Sequence, residues 1–272
     1  AYKDETNDSV WDIISLAIAE LKKFVTDDEA TEKKLRQFAG RVASTQFGRL
    51  GWDKKADEPE NDTKLRSTIL GLMVYSENEA VIARAVELYD SHKLEELDPE
   101  LRTLILTTVV RYGAKAGIVT DLLAKYKATN SAELQEDLAG GLTSTKDPVA
   151  IDLLLTQITD KSTVRSQDVF RWFAYMIRGK ESRTKTWNWL RSNWDWAEQT
   201  FSGDKSFDYF PRYAATGLMT RTQLQEYIDF FTPMKENPSL ARVITMGISE
   251  IEGRVELIEG DGPAVRSALL EL

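Results

Sequence analysis

Leu65-Arg66-Ser67-Thr68-Ile69-Leu70 returns 36 residues later as Leu101-Arg102-Thr103-Leu104-Ile105-Leu106. In each copy two leucines and an isoleucine fall at the spacing of one helix face, with an arginine beside the first leucine. A period of this length is that of one helical hairpin. A lone hairpin cannot bury its apolar face, so neighbours must stack on it. The expected architecture is all-α, with HEAT-like helical-hairpin repeats stacked into a curved solenoid or bowl. Only one clear pair of echoes is visible, and two unrelated amphipathic helices would produce the same pattern by coincidence.

Outward from this pair the apolar spacing stays helical, and the strand period of two is never sustained. Val10, Ile14, Ala17, Leu21 and Phe24 follow three or four apart and predict one buried helix face. Ser9 with Asp12 reads as a capping box, and Asp98-Pro99 and Asp147-Pro148 as N-caps with proline at the first helical position. Short polar or glycine-bearing breaks fall at 54–62, 113–117, 143–147, 179–182 and 202–206, and Gly260-Asp261-Gly262 reads as a helix-ending turn. The whole of residues 1–272 is expected to form a single helical-repeat domain.

Composition removes several function classes. The 272 residues are 42% hydrophobic, enough for a continuous core. Lys and Arg total 35 against 44 Asp and Glu, a net charge of −9, which opposes binding to phosphate backbones or anionic lipid surfaces. Neither nucleic acid nor a membrane is expected as a partner. The opening residues are too polar for a signal peptide, and no apolar run is long enough for a membrane helix. Cysteine is absent, which fits a reducing cytoplasm, the expected location unless a targeting signal lies upstream.

The catalytic inventory is short. A zinc hydrolase of the H-E-x-x-H kind needs two histidines a helical turn apart, and His92 stands alone. A serine triad would have to use His92, which lies in the polar stretch Asp90-Ser91-His92-Lys93 and reads as a solvated loop residue. No phosphate-cradling glycine motif occurs, and 44 acidic residues supply chance carboxylate pairs without singling one out. No cofactor or metal is expected within this chain, so any chemistry it serves is completed elsewhere.

Two segments stand out. Trp187, Leu190 and Trp194 share one helical face and read as core packing. Between Val164 and Arg178, the residues Val169, Phe170, Phe173, Met176 and Ile177 face inward, while Gln167, Arg171, Tyr175 and Arg178 form the opposite stripe. Such a stripe suits recognition of an anionic or peptide ligand. It is also what an ordinary solvated helix face looks like.

Several segments in order resemble the C-terminal helical domain of zinc aminopeptidases of the aminopeptidase N type, which include the puromycin-sensitive and endoplasmic-reticulum aminopeptidases. They are Leu50-Gly51-Trp52-Asp53 followed by Glu58 and Leu65-Arg66; Pro99, Leu101 and Arg102; Arg165-Ser166-Gln167-Asp168; Trp187 to Trp194; and Phe230-Phe231 with the helix from Pro238 to Ile258. The resemblance implies a non-catalytic domain that encloses the peptide chamber and gates access to it. The parent enzyme would remove N-terminal residues from peptides, with zinc held by H-E-x-x-H and a distant glutamate and the substrate's amino terminus bound by a G-x-M-E-N motif; both motifs are absent here. Implied partners are the catalytic domain of the same polypeptide and peptide substrates. The resemblance also directs Gln167, Arg171, Tyr175 and Arg178 toward the chamber, with Arg171 as a fixed cation for peptide carbonyls or acidic side chains and Asp168 as a structural partner. The competing reading is a free-standing helical scaffold that binds proteins on a concave face.

Overall fold

A computed structural model describes residues 2–272. They form fourteen α-helices joined by short turns, and no strand occurs among the described residues. The fold is all-α. The chain divides into two compact units, one running to residue 116 and including 261–272, the other spanning 117–260.

The first unit contains α1 (Asp8–Leu21), α2 (Glu29–Leu50), α3 (Glu60–Tyr75), α4 (Glu79–Ser91) and α5 (Pro99–Tyr112). α3 packs on α1, α2 and α5, and α4 packs on α5. Helix starts follow the capping chemistry of the sequence. Asp98 accepts from the Glu100 amide at 3.0 Å, with Pro99 in the first turn. At α1 the cap is Asn7, which accepts from the Ser9 amide at 2.9 Å, and not Ser9 itself. The buried face of α1 is also turned from the expected one. Trp11 and Ile18 are buried, whereas Ile14, Ala17 and Leu21 stay partly or wholly exposed along an open apolar groove that Ile18 also borders. Burying the large Trp11 ring is the greater apolar gain, and its one polar atom is satisfied, since Nε1 donates to the Glu5 carbonyl at 2.8 Å.

The two echoed segments occupy α3 and α5. Leu65, Ile69 and Leu70 are buried, as are Leu101, Ile105 and Leu106. Their arginines are buried too and bind carbonyls of the preceding loop. Arg102 Nη2 donates to the Leu97 carbonyl at 3.3 Å. Arg66 donates to the Leu50 and Asp53 carbonyls, each at 3.3 Å, and pairs through both terminal nitrogens with Glu58, at 2.6 Å through Nη1. Both side chains of that pair are 3% exposed. Arg66 therefore fastens the acidic loop at 51–59 to the core, which gives the Glu58 and Leu65-Arg66 motif its physical role.

The second unit contains α6 (Ile118–Ala128), α7 (Ala132–Thr143), α8 (Pro148–Ile158), α9 (Val169–Arg178), α10 (Arg183–Ser192), α11 (Trp194–Phe201), α12 (Tyr209–Gly217) and α13 (Arg221–Phe231). Asp147 caps α8 through the Val149 amide at 2.9 Å, with Pro148 behind it. α9 packs on α7, α8, α10 and α12, so it is surrounded. An aromatic core fills the unit. Trp187 stacks on Tyr227 with centroids 6.1 Å apart, Trp194 meets Phe207 at 5.2 Å and Phe231 at 5.3 Å, and the Trp187 Nε1 donates to Glu226 at 2.7 Å. Trp187 and Trp194 are core residues as expected, but on two helices, because the chain breaks at Asn193 between α10 and α11.

The last helix, α14, runs from Pro238 to Leu270 without the expected stop at Gly260-Asp261-Gly262. Two glycines and Pro263 oppose this continuation, since proline removes the helical donor for the Glu259 carbonyl. Residues further on hold the helix together. Arg266 Nη1 donates to the Phe24 carbonyl at 3.1 Å, and Leu269 is buried.

Candidate functional site

α9 carries the polar stripe. Its position among four neighbouring helices requires nearly every side chain to be apolar. Val169, Phe170, Phe173, Met176 and Ile177 are buried as the spacing predicts, and so are Trp172 and Ala174, which the two-faced reading did not assign. The residues left partly or wholly exposed are Arg171, Tyr175 and Arg178, one turn apart along a single line. Gln167 is exposed just before them, in a 3-10 turn over Ser166–Asp168; the α-helix itself begins at Val169.

These four residues share one concavity of about 730 Å³ in the second unit. Its other wall comes from Phe201, Asp204, Ser206, Tyr209 and Tyr213. Phe170 joins the walls at the base, with its ring 4.9 Å from Phe201 and 5.4 Å from Tyr209. The sequence reading placed Phe170 in the core only and passed over the far wall. The signal available there was Tyr209 and Tyr213, four residues apart on α12 with ring centroids 5.4 Å apart.

The two arginines differ in electrostatic state. Arg171 lies 3.2 Å from Glu136 Oε2 of α7 and 3.7 Å from Asp168 Oδ1, so two carboxylates meet its charge. Asp168 is buried and also accepts from Arg165 Nε at 2.8 Å, the structural role expected of it. Arg178 has no carboxylate partner among the described residues. Its Nε donates to Thr216 Oγ1 at 3.2 Å, and its guanidinium carbon stands 5.6 Å from the centroid of the Tyr213 ring.

Tyr175 sits between these charges. Burial, reinforced by the Glu136 carboxylate, raises the pKa of its phenol, so it remains a neutral hydroxyl at physiological pH. Across the cleft, Asp204 accepts from the Ser206 amide at 2.8 Å and from its hydroxyl at 2.7 Å, which hold its pKa below the ordinary carboxylate range. The cleft thus offers an aromatic floor, neutral hydroxyls and one guanidinium with spare donors. That chemistry suits holding a peptide segment.

His92 follows α4 on the surface, with Nδ1 2.9 Å from Ser91 Oγ and 3.1 Å from the Leu88 carbonyl. The neighbouring Asp90 is bound to Lys115. Among the described residues no group of three or more histidine or acidic side chains is placed to hold a metal ion. The donor set for a catalytic zinc, with three protein ligands around one ion, does not fit these residues. No helix among the described residues is long and apolar enough to cross a membrane.

Residues 1–253 match a family model described as the ERAP1-like C-terminal domain. The chain is 33% identical over 262 residues to aminopeptidase N of Lactococcus lactis subsp. cremoris strain MG1363, covering 95% of this chain and 31% of that protein. It is 30% identical over 270 residues to aminopeptidase N of Lactobacillus helveticus, covering 98% of this chain and 32% of that protein. A glutamyl aminopeptidase of Bitis rhinoceros is 25% identical over 223 residues, which is 81% of this chain and 23% of that protein. The chain spans about a third of the length of the bacterial relatives it matches.

Proposed function

Because this chain belongs to the ERAP1-like C-terminal domain family, we propose that residues 1–272 act as the non-catalytic C-terminal domain of a zinc aminopeptidase, enclosing its peptide chamber and gating substrate access. Zinc and the bond-breaking groups are assigned to the rest of that polypeptide, and no step of hydrolysis is assigned to this chain. The cytoplasm is the proposed setting, in keeping with a sequence free of cysteine.

The observation that carries this reading is the cleft on α9. Gln167, Arg171, Tyr175 and Arg178 open onto one concavity with an aromatic floor, and its volume of about 730 Å³ is of the size that holds a few peptide residues. A helix whose polar stripe was merely solvated would need no second wall. In the proposed arrangement a single-residue substrate is held by the catalytic domain, while a longer peptide extends into this cleft.

The test is Tyr175→Ala in the full-length enzyme. Losing the ring removes contact worth roughly 1–2 kcal/mol to a peptide that reaches it, or about fivefold to thirtyfold in kcat/KM. The expected result is a loss of that size on a ten-residue peptide and a much smaller one on an aminoacyl chromogenic substrate. Equal losses on both would show that the ring acts on folding and not on the peptide, and no loss on either would return the stripe to an ordinary helix face. Either outcome contradicts the proposal.

A further inference from the structure

We infer, on the basis of that reading, that the cleft selects peptides bearing a carboxylate side chain beyond the scissile bond, and that Arg178 is the specificity-determining residue. Among the described residues two guanidiniums reach the cleft, and one of them has charge left to offer. Arg171 stands between Glu136 and Asp168, so a peptide carboxylate would have to displace an existing partner. Arg178 is exposed, and among the described residues its side chain is bound only to neutral groups, the Thr216 hydroxyl and the Tyr213 ring; these orient it while leaving Nη1 and Nη2 without an acceptor there. A guanidinium oriented in advance loses little side-chain freedom when it takes a carboxylate.

The remaining groups of the cleft are consistent with this assignment. Tyr175 stays neutral and adds a hydroxyl donor without adding charge. Asp204, the one carboxylate among the described lining residues, is exposed and has its Oδ1 bound twice by Ser206. Phe170 and Phe201 form an apolar floor for the methylene groups of a glutamate or for a neighbouring apolar residue.

The experiment uses the full-length enzyme and ten-residue peptides amidated at the C-terminus, with glutamate or glutamine placed in turn at positions three to six. Wild type is expected to favour glutamate at one or two of these positions by about threefold to tenfold in kcat/KM, a size suited to a charge-assisted bond at a partly exposed site. The preference should appear in KM, vanish in Arg178→Gln, return in part in Arg178→Lys, and weaken at raised ionic strength. Thermal unfolding of both variants checks that the fold is intact. A glutamate preference that survives Arg178→Gln overturns the assignment, as does its absence from wild type. A parallel set with free C-termini separates the other source of a carboxylate: dependence on Arg178 for the terminal carboxylate alone also overturns it. If Tyr175→Ala impairs long peptides while no glutamate preference exists, only this inference fails. If Tyr175→Ala has no effect, the enclosing role fails.

Discussion

Glu58→Gln is expected to lower stability by about 3–5 kcal/mol, the usual cost of removing one partner from a buried ion pair. Both side chains of the Glu58–Arg66 pair are 3% exposed, and the guanidinium would be left with neutral acceptors alone, the Leu50 and Asp53 carbonyls and the introduced amide oxygen, while the amide NH2 would face its N–H groups. That loss releases the 51–59 loop from α3. The Arg66 hydrogen bond is the main reason the Glu58 carboxyl titrates at about 2, below its ordinary 4.5. A carboxyl depressed in the folded state contributes stability that is full above the ordinary value and is lost as pH falls through about 2. Wild type should therefore lose stability between about pH 5 and pH 2 more steeply than Glu58→Gln. Joint replacement by Glu58→Leu and Arg66→Met should recover much of the loss, because neither charge is then stranded. Urea denaturation at pH 7 and pH 3 measures all three chains. A single-substitution cost under about 1 kcal/mol would show that the pair is solvated and not buried.

Gly217→Ala should be nearly as damaging, with a cost of about 3 kcal/mol. A Cβ at this position would lie 2.3 Å from the Ile177 carbonyl oxygen and 2.8 Å from Ile177 Cγ1. The obstacle is the backbone of α9, which cannot swing aside as a side-chain end can, so α9 and α12 must separate. These two helices bear the opposite walls of the cleft, so Gly217→Ala should also erode discrimination among long peptides. Gly253→Ala is the control. It lies in α14, where an added methyl would meet nothing within 4 Å, and should raise stability by roughly 0.5–1 kcal/mol through helix propensity alone. Equal effects of the two substitutions would contradict the close packing of α12 on α9.

The contrast between these sites shows which parts of the molecule local sequence rules reach. Asp98-Pro99 and Asp147-Pro148 begin helices where they were expected, since a cap depends on residues two or three positions away. The outward stripe of α9 was legible for the same reason: its period is a property of the helix alone. Trp172 and Ala174 were not, because their burial depends on four helices from elsewhere in the chain. Gly260-Asp261-Gly262 obeys the local rule for a helix stop, and contacts of Arg266 and Leu269 override it. Half of the cleft escaped notice because Phe201, Tyr209 and Tyr213 approach α9 only after the chain has turned through α10 and α11. Of the two carboxylates that meet Arg171, Asp168 is local, but Glu136 is distant in sequence, as is the neutral Thr216 hydroxyl that binds Arg178.

The central claim is that the α9 cleft touches bound peptide in the full-length enzyme, and photocrosslinking tests it most directly. Tyr175 is replaced by p-benzoylphenylalanine, and Val149, which is 74% exposed on α8, receives the same group as a control. A labelled, hydrolysis-resistant ten-residue peptide is then bound and irradiated. The account predicts crosslinking from position 175, abolished by excess unlabelled peptide, and little from position 149. Absence of peptide adducts at position 175 while the enzyme is saturated with peptide would contradict it.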